Sequence, residues 1–189
     1  MLTMMLALTA TATATPIHIT PSTRSRVVLR ADLDEDGVVE QVMVGFSLRR
    51  EIHVAVYEPD GQVRRLSLGP VVDLSGVRDE LFVSLTDPEE TGVPLLLVAV
   101  PAAEQCGSWG RDTFVSDQGG QLQAALSLTN GEDSPVYMEE SVVFSPESHT
   151  AILTTIAGDD SGETTTITRR ALVGGVFETT STTERTQVF

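Results

Sequence analysis

The chain has a single cysteine, Cys106, and far too few basic residues to balance its acids. One thiol makes an intrachain disulfide impossible, so the fold has to be held by its core, and the redox compartment is not legible from it. Cys106 reads as a small buried or half-buried residue rather than a reactive thiol or an intermolecular bridge. With 12 Lys and Arg against 27 Asp and Glu in 189 residues, the formal net charge is −15. That balance argues against nucleic acid and anionic membrane as partners. It suits divalent cations or a basic protein partner.

Catalytic parts are scarce too. Histidine occurs only as His18, His53 and His149. There is no HExxH, no GxSxG and no phosphate-cradling glycine loop, so metalloprotease, α/β-hydrolase and nucleotide-binding readings lack their minimum parts. His53 with a neighbouring carboxylate is the one general-base candidate, and a lone strand histidine is usually packing or surface. No stretch has the length and 3.6-residue period of an amphipathic helix.

The uncharged run over residues 1 to 14 is too short to span a bilayer. It ends in Ala12-Thr13-Ala14 and resembles the apolar stretch and A-x-A cleavage site of a secretory signal, without a basic n-region. The expectation is a signal peptide over 1–14, an extended lead over 15–25, and an exported mature chain, periplasmic or extracellular, with no stable membrane insertion.

What the chain has in quantity is alternation. Val42, Val44, Phe46 and Leu48 recur at period two, as do the residues of Ile52 to Tyr57 and Val63 to Leu68, the mark of half-buried strands. Glu58-Pro59-Asp60-Gly61 and Gly174-Gly175 are hairpin turn signals. Val93 to Val100 is apolar throughout and reads as a central strand covered on both faces. Asp87 to Gly92, Asn130 to Pro135 and Ala157 to Gly162 read as turns or loops, and Trp109 as an aromatic plug at the edge of the core. The expected fold is all-β: antiparallel meander and hairpins forming a large twisted sheet or two packed sheets. A propeller needs at least four blades of four strands, more than the chain supplies.

Residues 32 to 40, Asp-Leu-Asp-Glu-Asp-Gly-Val-Val-Glu, organise the rest. Asp32, Asp34 and Asp36 place carboxylates at alternate residues, as a short peptide must to wrap a hard cation that takes six to eight oxygens. Gly37 follows where the chain must turn with positive φ, a conformation glycine adopts without steric cost. The Val38 carbonyl can then point inward, and Glu40 can close the shell. An EF-hand would have glutamate at loop position twelve and continue into a helix; position twelve is Met43, in a strand pattern. The plain alternative is an acidic surface turn with no metal.

Asp-x-Asp-x-Asp-Gly-x-x-acid leading into a Val-rich strand resembles the calcium loop of FG-GAP and VCBS repeats and of related exported bacterial β modules. The resemblance covers residues 26 to 48. It implies structural Ca²⁺ held by Asp32, Asp34, Asp36, the Val38 carbonyl and Glu40, the last standing where the family more often has Asp. With it, 26–189 is expected to form a single β domain, 26–68 being the calcium-loop meander and 79–189 further hairpins. The function expected is a non-enzymatic, calcium-stabilised binding module, an inhibitor or recognition protein for a cell-envelope protein partner. Small exported proteins of this type include some similar to periplasmic lysozyme inhibitors, and a basic partner would complement the acidic chain. The alternatives are a secreted hydrolase using surface carboxylates or His53, and an adhesion-type module acting in an oligomer.

Overall fold

The structure, a computed structural model, describes residues 17–19, 26–47, 51–70, 81–100, 108–118, 120–133 and 135–188. The signal-peptide reading of 1–14, Cys106, and all but residues 17–19 of the extended lead lie outside the described residues.

Alternating sequence becomes strand almost throughout. The first strand, β1 (Ile17–Ile19), precedes a meander of β2 (Arg26–Ala31), β3 (Glu40–Phe46), β4 (Glu51–Tyr57) and β5 (Val63–Pro70). These four form one antiparallel sheet in sequence order. Next come β6 (Leu81–Leu85), the single-turn helix α1 (Pro88–Thr91) and β7 (Leu96–Val100). The chain continues through β8 (Ser108–Gln118), β9 (Gln121–Asp133), β10 (Val136–Ser145), β11 (Thr150–Asp159), β12 (Gly162–Val173) and β13 (Val176–Val188). All of these strands join β1 in a nine-stranded sheet of order β1-β6-β7-β8-β9-β10-β11-β12-β13. The fold is all-β, with two packed antiparallel sheets and, among the described residues, no closed barrel or propeller.

Side-chain parity decides how the sheets meet. Val27, Val42, Val44, Ile52, Val54 and Val56 form the inner face of the small sheet and are buried against Leu81, Val83, Leu96, Val98 and Val115 of the large one. A fully buried valine contributes about 1.5–3 kcal/mol, and β-branched side chains pack well on a pleated surface. The inner face also carries polar residues at its edge. Leu29, Val42, Val56 and Arg64 lie in register across β2 to β5, so Arg64 shares the inward parity of the valines beside it.

The large sheet also folds over itself. A register shift falls between Phe114 and Val115; Val115 packs in the core between the sheets, Phe114 in a second core with Leu126, Leu128, Ala151, Leu153 and Phe177. Phe144 bridges Phe114 and Phe177, with ring centroids 5.3 and 5.5 Å away. The fold-over is possible because β9 and β10 pair only from Val136–Asp133 to Met138–Gly131. Beyond that the Glu140 side chain replaces the ladder, accepting from the Thr129 N–H at 2.6 Å and the Thr155 hydroxyl at 3.0 Å. The β12–β13 turn closes the curl: the Ser116 hydroxyl donates to the Gly175 carbonyl at 2.6 Å, and the Gln123 amide donates to that of Gly174.

Several boundaries differ from the sequence expectation. The Val93 to Val100 strand begins only at Leu96, although both its faces are covered as expected, Leu96 and Val98 by one core and Leu97 by the other. The Asp87 to Gly92 turn closes into α1, because Asp87 Oδ1 caps the Glu89 N–H at 2.9 Å and Pro88 opens the helical turn. The expected loops over 130–135 and 157–162 are shorter, since strand pairing runs out to Asp133 and Asp159. Trp109, expected as an aromatic plug, is a half-buried residue of β8, opposite Gly131.

Candidate metal centre

The acidic loop spans the end of β2 and the start of β3, closed at its base where Ala31 pairs with Glu40. Its alternation is a division of labour. Asp32 and Asp34 flank Leu33, which is 1% exposed and anchors the loop in the core between the sheets. Local hydrogen bonds then curl the loop. Asp34 Oδ1 accepts from the Asp36 N–H at 3.3 Å, Asp36 Oδ1 from Val38 at 2.7 Å, and Asp32 Oδ2 from Gly37 at 3.0 Å. Gly37 has the expected positive φ, +86°, and Glu35 is also left-handed at +61°.

The result gathers Asp32, Asp34, Asp36 and Glu40, with one carboxylate oxygen from each lying within 4.8 Å of the others. These four could hold a metal ion. Glu40 is the most enclosed, 1% exposed, because it shares the inward parity of Val42 and Val44 on β3. Its Oε2 accepts from the Leu33 N–H at 2.9 Å. Its Oε1, and Asp32 Oδ1, are buried without a hydrogen-bond partner. Val38 follows Gly37 in the loop and is exposed.

Three residues that the sequence reading treated as ordinary turn and strand positions complete the surroundings. Arg64 Nη2 lies 3.3 Å from Asp34 Oδ2 and 2.7 Å from Asp117 Oδ2, and also ion-pairs with Glu58. Asp117 belongs to β8 of the large sheet and is fully buried. The neighbourhood thus holds six carboxyl groups and one guanidinium. A pair of carboxylates 4.8 Å apart repels by about 3 kcal/mol at an effective dielectric near 20. Burial pushes the Glu40 carboxyl above its ordinary pKa, and Asp34, Glu58 and Asp32 add to the rise against the Leu33 hydrogen bond. Burial also raises Asp117, against the pull of Arg64. Burial works to lower the Arg64 pKa, but Asp117, Glu58 and Asp34 outweigh it and the net shift is upward.

The other sequence candidates stand apart from this centre. His53 Nε2 is 3.5 Å from Glu51 Oε2 on the outer face of the small sheet, both side chains substantially exposed. His149 sits at positive φ closing a 3-10 turn, and His18 pairs with Phe82 across β1 and β6. In the turn after β11, Asp159 Oδ1 accepts from the Ser161 N–H at 2.8 Å, and Glu163 Oε2 accepts from the Tyr137 hydroxyl at 2.7 Å. Among the described residues the Asp32 group is the one cluster of this kind, and no helix is long and apolar enough to cross a membrane.

No protein-family profile, curated protein or solved structure matches the chain.

Proposed function

We propose that the chain is an exported, non-enzymatic, calcium-stabilised β module, in which one Ca²⁺ clamps the loop between β2 and β3 and steadies a recognition surface for a protein partner. The observation that carries this reading is the pair of buried, unpartnered oxygens, Glu40 Oε1 and Asp32 Oδ1, on carboxyls of one converging cluster. A buried carboxylate oxygen without a donor is costly, and a cation relieves both atoms and the mutual repulsion at once. The donor set is all oxygen, which suits a hard ion.

Size favours calcium over magnesium. Oxygens on one Ca²⁺, bonded at about 2.3–2.6 Å, lie up to about 5 Å apart, whereas on Mg²⁺ the limit is about 4.2 Å. A spread of up to 4.8 Å fits the larger ion without contraction. Asp32, Asp34, Asp36 and Glu40 would supply side-chain ligands, and the Val38 carbonyl would add a backbone one, as in the FG-GAP and VCBS loops that the sequence resembles. The ion would act on the fold, since Leu33 and Arg64 connect the loop to the core and to the large sheet. The overall charge of −15 favours a basic partner, whose approach would be accelerated electrostatically.

A thermal melt of the full chain tests the metal. For an extracellular-type site with Kd of about 0.1 mM, 10 mM Ca²⁺ stabilises by about 2.7 kcal/mol relative to EDTA, or about 5–10 °C for a domain of this size. Asp34→Ala should abolish the difference between the two conditions. Equal melting temperatures for wild type in calcium and in EDTA would remove the proposal.

A further inference from the structure

The outer face of the small sheet carries a depression of about 240 Å³ that plays no part in the metal centre. Its floor is low because Gly45 and Ala55 present little or no side chain, while Met43, His53 and Tyr57 stand around them. Arg26 on β2 and Arg65 on β5 close the two sides. Among the described residues the lining contains two arginines, a histidine and no carboxylate, in a chain where acids outnumber bases 27 to 12. Among the described residues Arg26 reaches the Met43 sulfur, at 3.9 Å. Glu51, beside His53, is engaged with it at 3.5 Å.

We infer that this depression binds a small organic anion, a monocarboxylate with a flat apolar body, the carboxylate held by Arg26 and Arg65 and the body lying over Met43 and Tyr57. Arginine presents a planar fork that matches a carboxylate with two parallel hydrogen bonds. The aromatic ring and thioether supply the apolar contact. The net negative charge does not forbid an anion here, because exposed charges more than about 8–10 Å away are screened at physiological ionic strength, and the lining itself carries Arg26 and Arg65. The volume lies below the usual range for drug-sized ligands, about 300–1,000 Å³, so the occupant is fragment-sized and its Kd is on the order of 1 mM.

The test is an NMR titration of the full chain in constant calcium and ionic strength, following the Met43 methyl and Tyr57 ring signals. Sodium benzoate is the probe and benzamide its uncharged isostere. Benzoate should shift both signals saturably, benzamide at least about tenfold more weakly, and Arg65→Gln or Arg26→Gln should weaken benzoate about fivefold or more. Both arginines are exposed, so these variants should fold. Arg185→Gln, on the exposed part of β13, should leave the titration unchanged. An equal response to benzamide, a benzoate response that survives in the double arginine variant, or no saturable shift up to about 50 mM would each overturn the inference.

Discussion

Arg64 Nη2 and Asp117 Oδ2 stand 2.7 Å apart across the gap between the two sheets. Arg64 comes from the last strand of the small sheet, Asp117 from β8 of the large one, and the same nitrogen also touches Asp34 of the acidic loop. The loop is therefore electrically continuous with the packing of the whole molecule.

Removing Arg64 should cost far more than removing a surface arginine. Asp117 is fully buried, and stripping a buried carboxylate of its partner destabilises by about 3–5 kcal/mol. Arg64→Met is expected to lower stability by about that amount in urea unfolding. Arg64→Met combined with Asp117→Leu should recover part of the loss, because the fully buried charge is then gone while Glu58 and Asp34, each partly exposed, still lack their partner. A single variant as stable as wild type would show that the bridge contributes nothing.

Glu40→Gln separates the fold from the metal. The amide oxygen can still accept from the Leu33 N–H, so that bond survives, while one negative charge leaves a crowded cluster. In EDTA the variant should melt no lower than wild type. In calcium its gain should fall to less than half the wild-type gain, as read by paired thermal melts. A full calcium response in the variant would remove Glu40 from the ligand set.

The pH dependence follows from three carboxyls whose pKa values burial raises: Glu40, Asp112 and Asp117, the last partly held down by Arg64. An acid with a raised folded-state pKa binds its proton more tightly folded than unfolded. Its stabilising contribution is complete below the ordinary carboxylate range, near pH 4, and is lost as pH rises through the folded value. Asp159 shifts the other way, held down by Ser161, and its loss falls below pH 4. Metal-free protein should therefore melt higher at pH 5 than at pH 7. In calcium the difference should shrink or reverse, because protons compete with the ion for the same oxygens. Differential scanning calorimetry at both pH values, with and without EDTA, reads the sign directly.

Two turn glycines should respond differently to alanine. Gly37 has φ +86° and open space where a Cβ would go, so Gly37→Ala should cost only the left-handed backbone penalty, about 1 kcal/mol. Gly92 has φ +83°, and a Cβ there would lie 2.9 Å from the Pro146 carbonyl oxygen, where α1 meets the turn after β10. Gly92→Ala should cost about 3 kcal/mol, the backbone penalty plus overpacking. Chemical denaturation of the two variants should rank them in that order.

The acidic loop, the strands flanking it and the four-stranded meander were determined by sequence alone, because a two-residue period and a glycine after alternating carboxylates are local facts. The burial of Glu40 was legible in the same way, since it stands two residues before Val42 and four before Val44. Leu33 also carried a signal, an apolar residue between two ligand positions. Tertiary structure alone decided that Glu58, Arg64 and Asp117 meet at the loop. Period two assigns a residue to a face but does not say which sheet that face will meet, and Asp117 lies 83 positions beyond Asp34 in the chain. The fold-over of the large sheet was likewise hidden. It depends on a ladder that lapses between β9 and β10 and on phenylalanines from β8, β10 and β13 converging, and long-range packing of that kind leaves no mark on any single stretch.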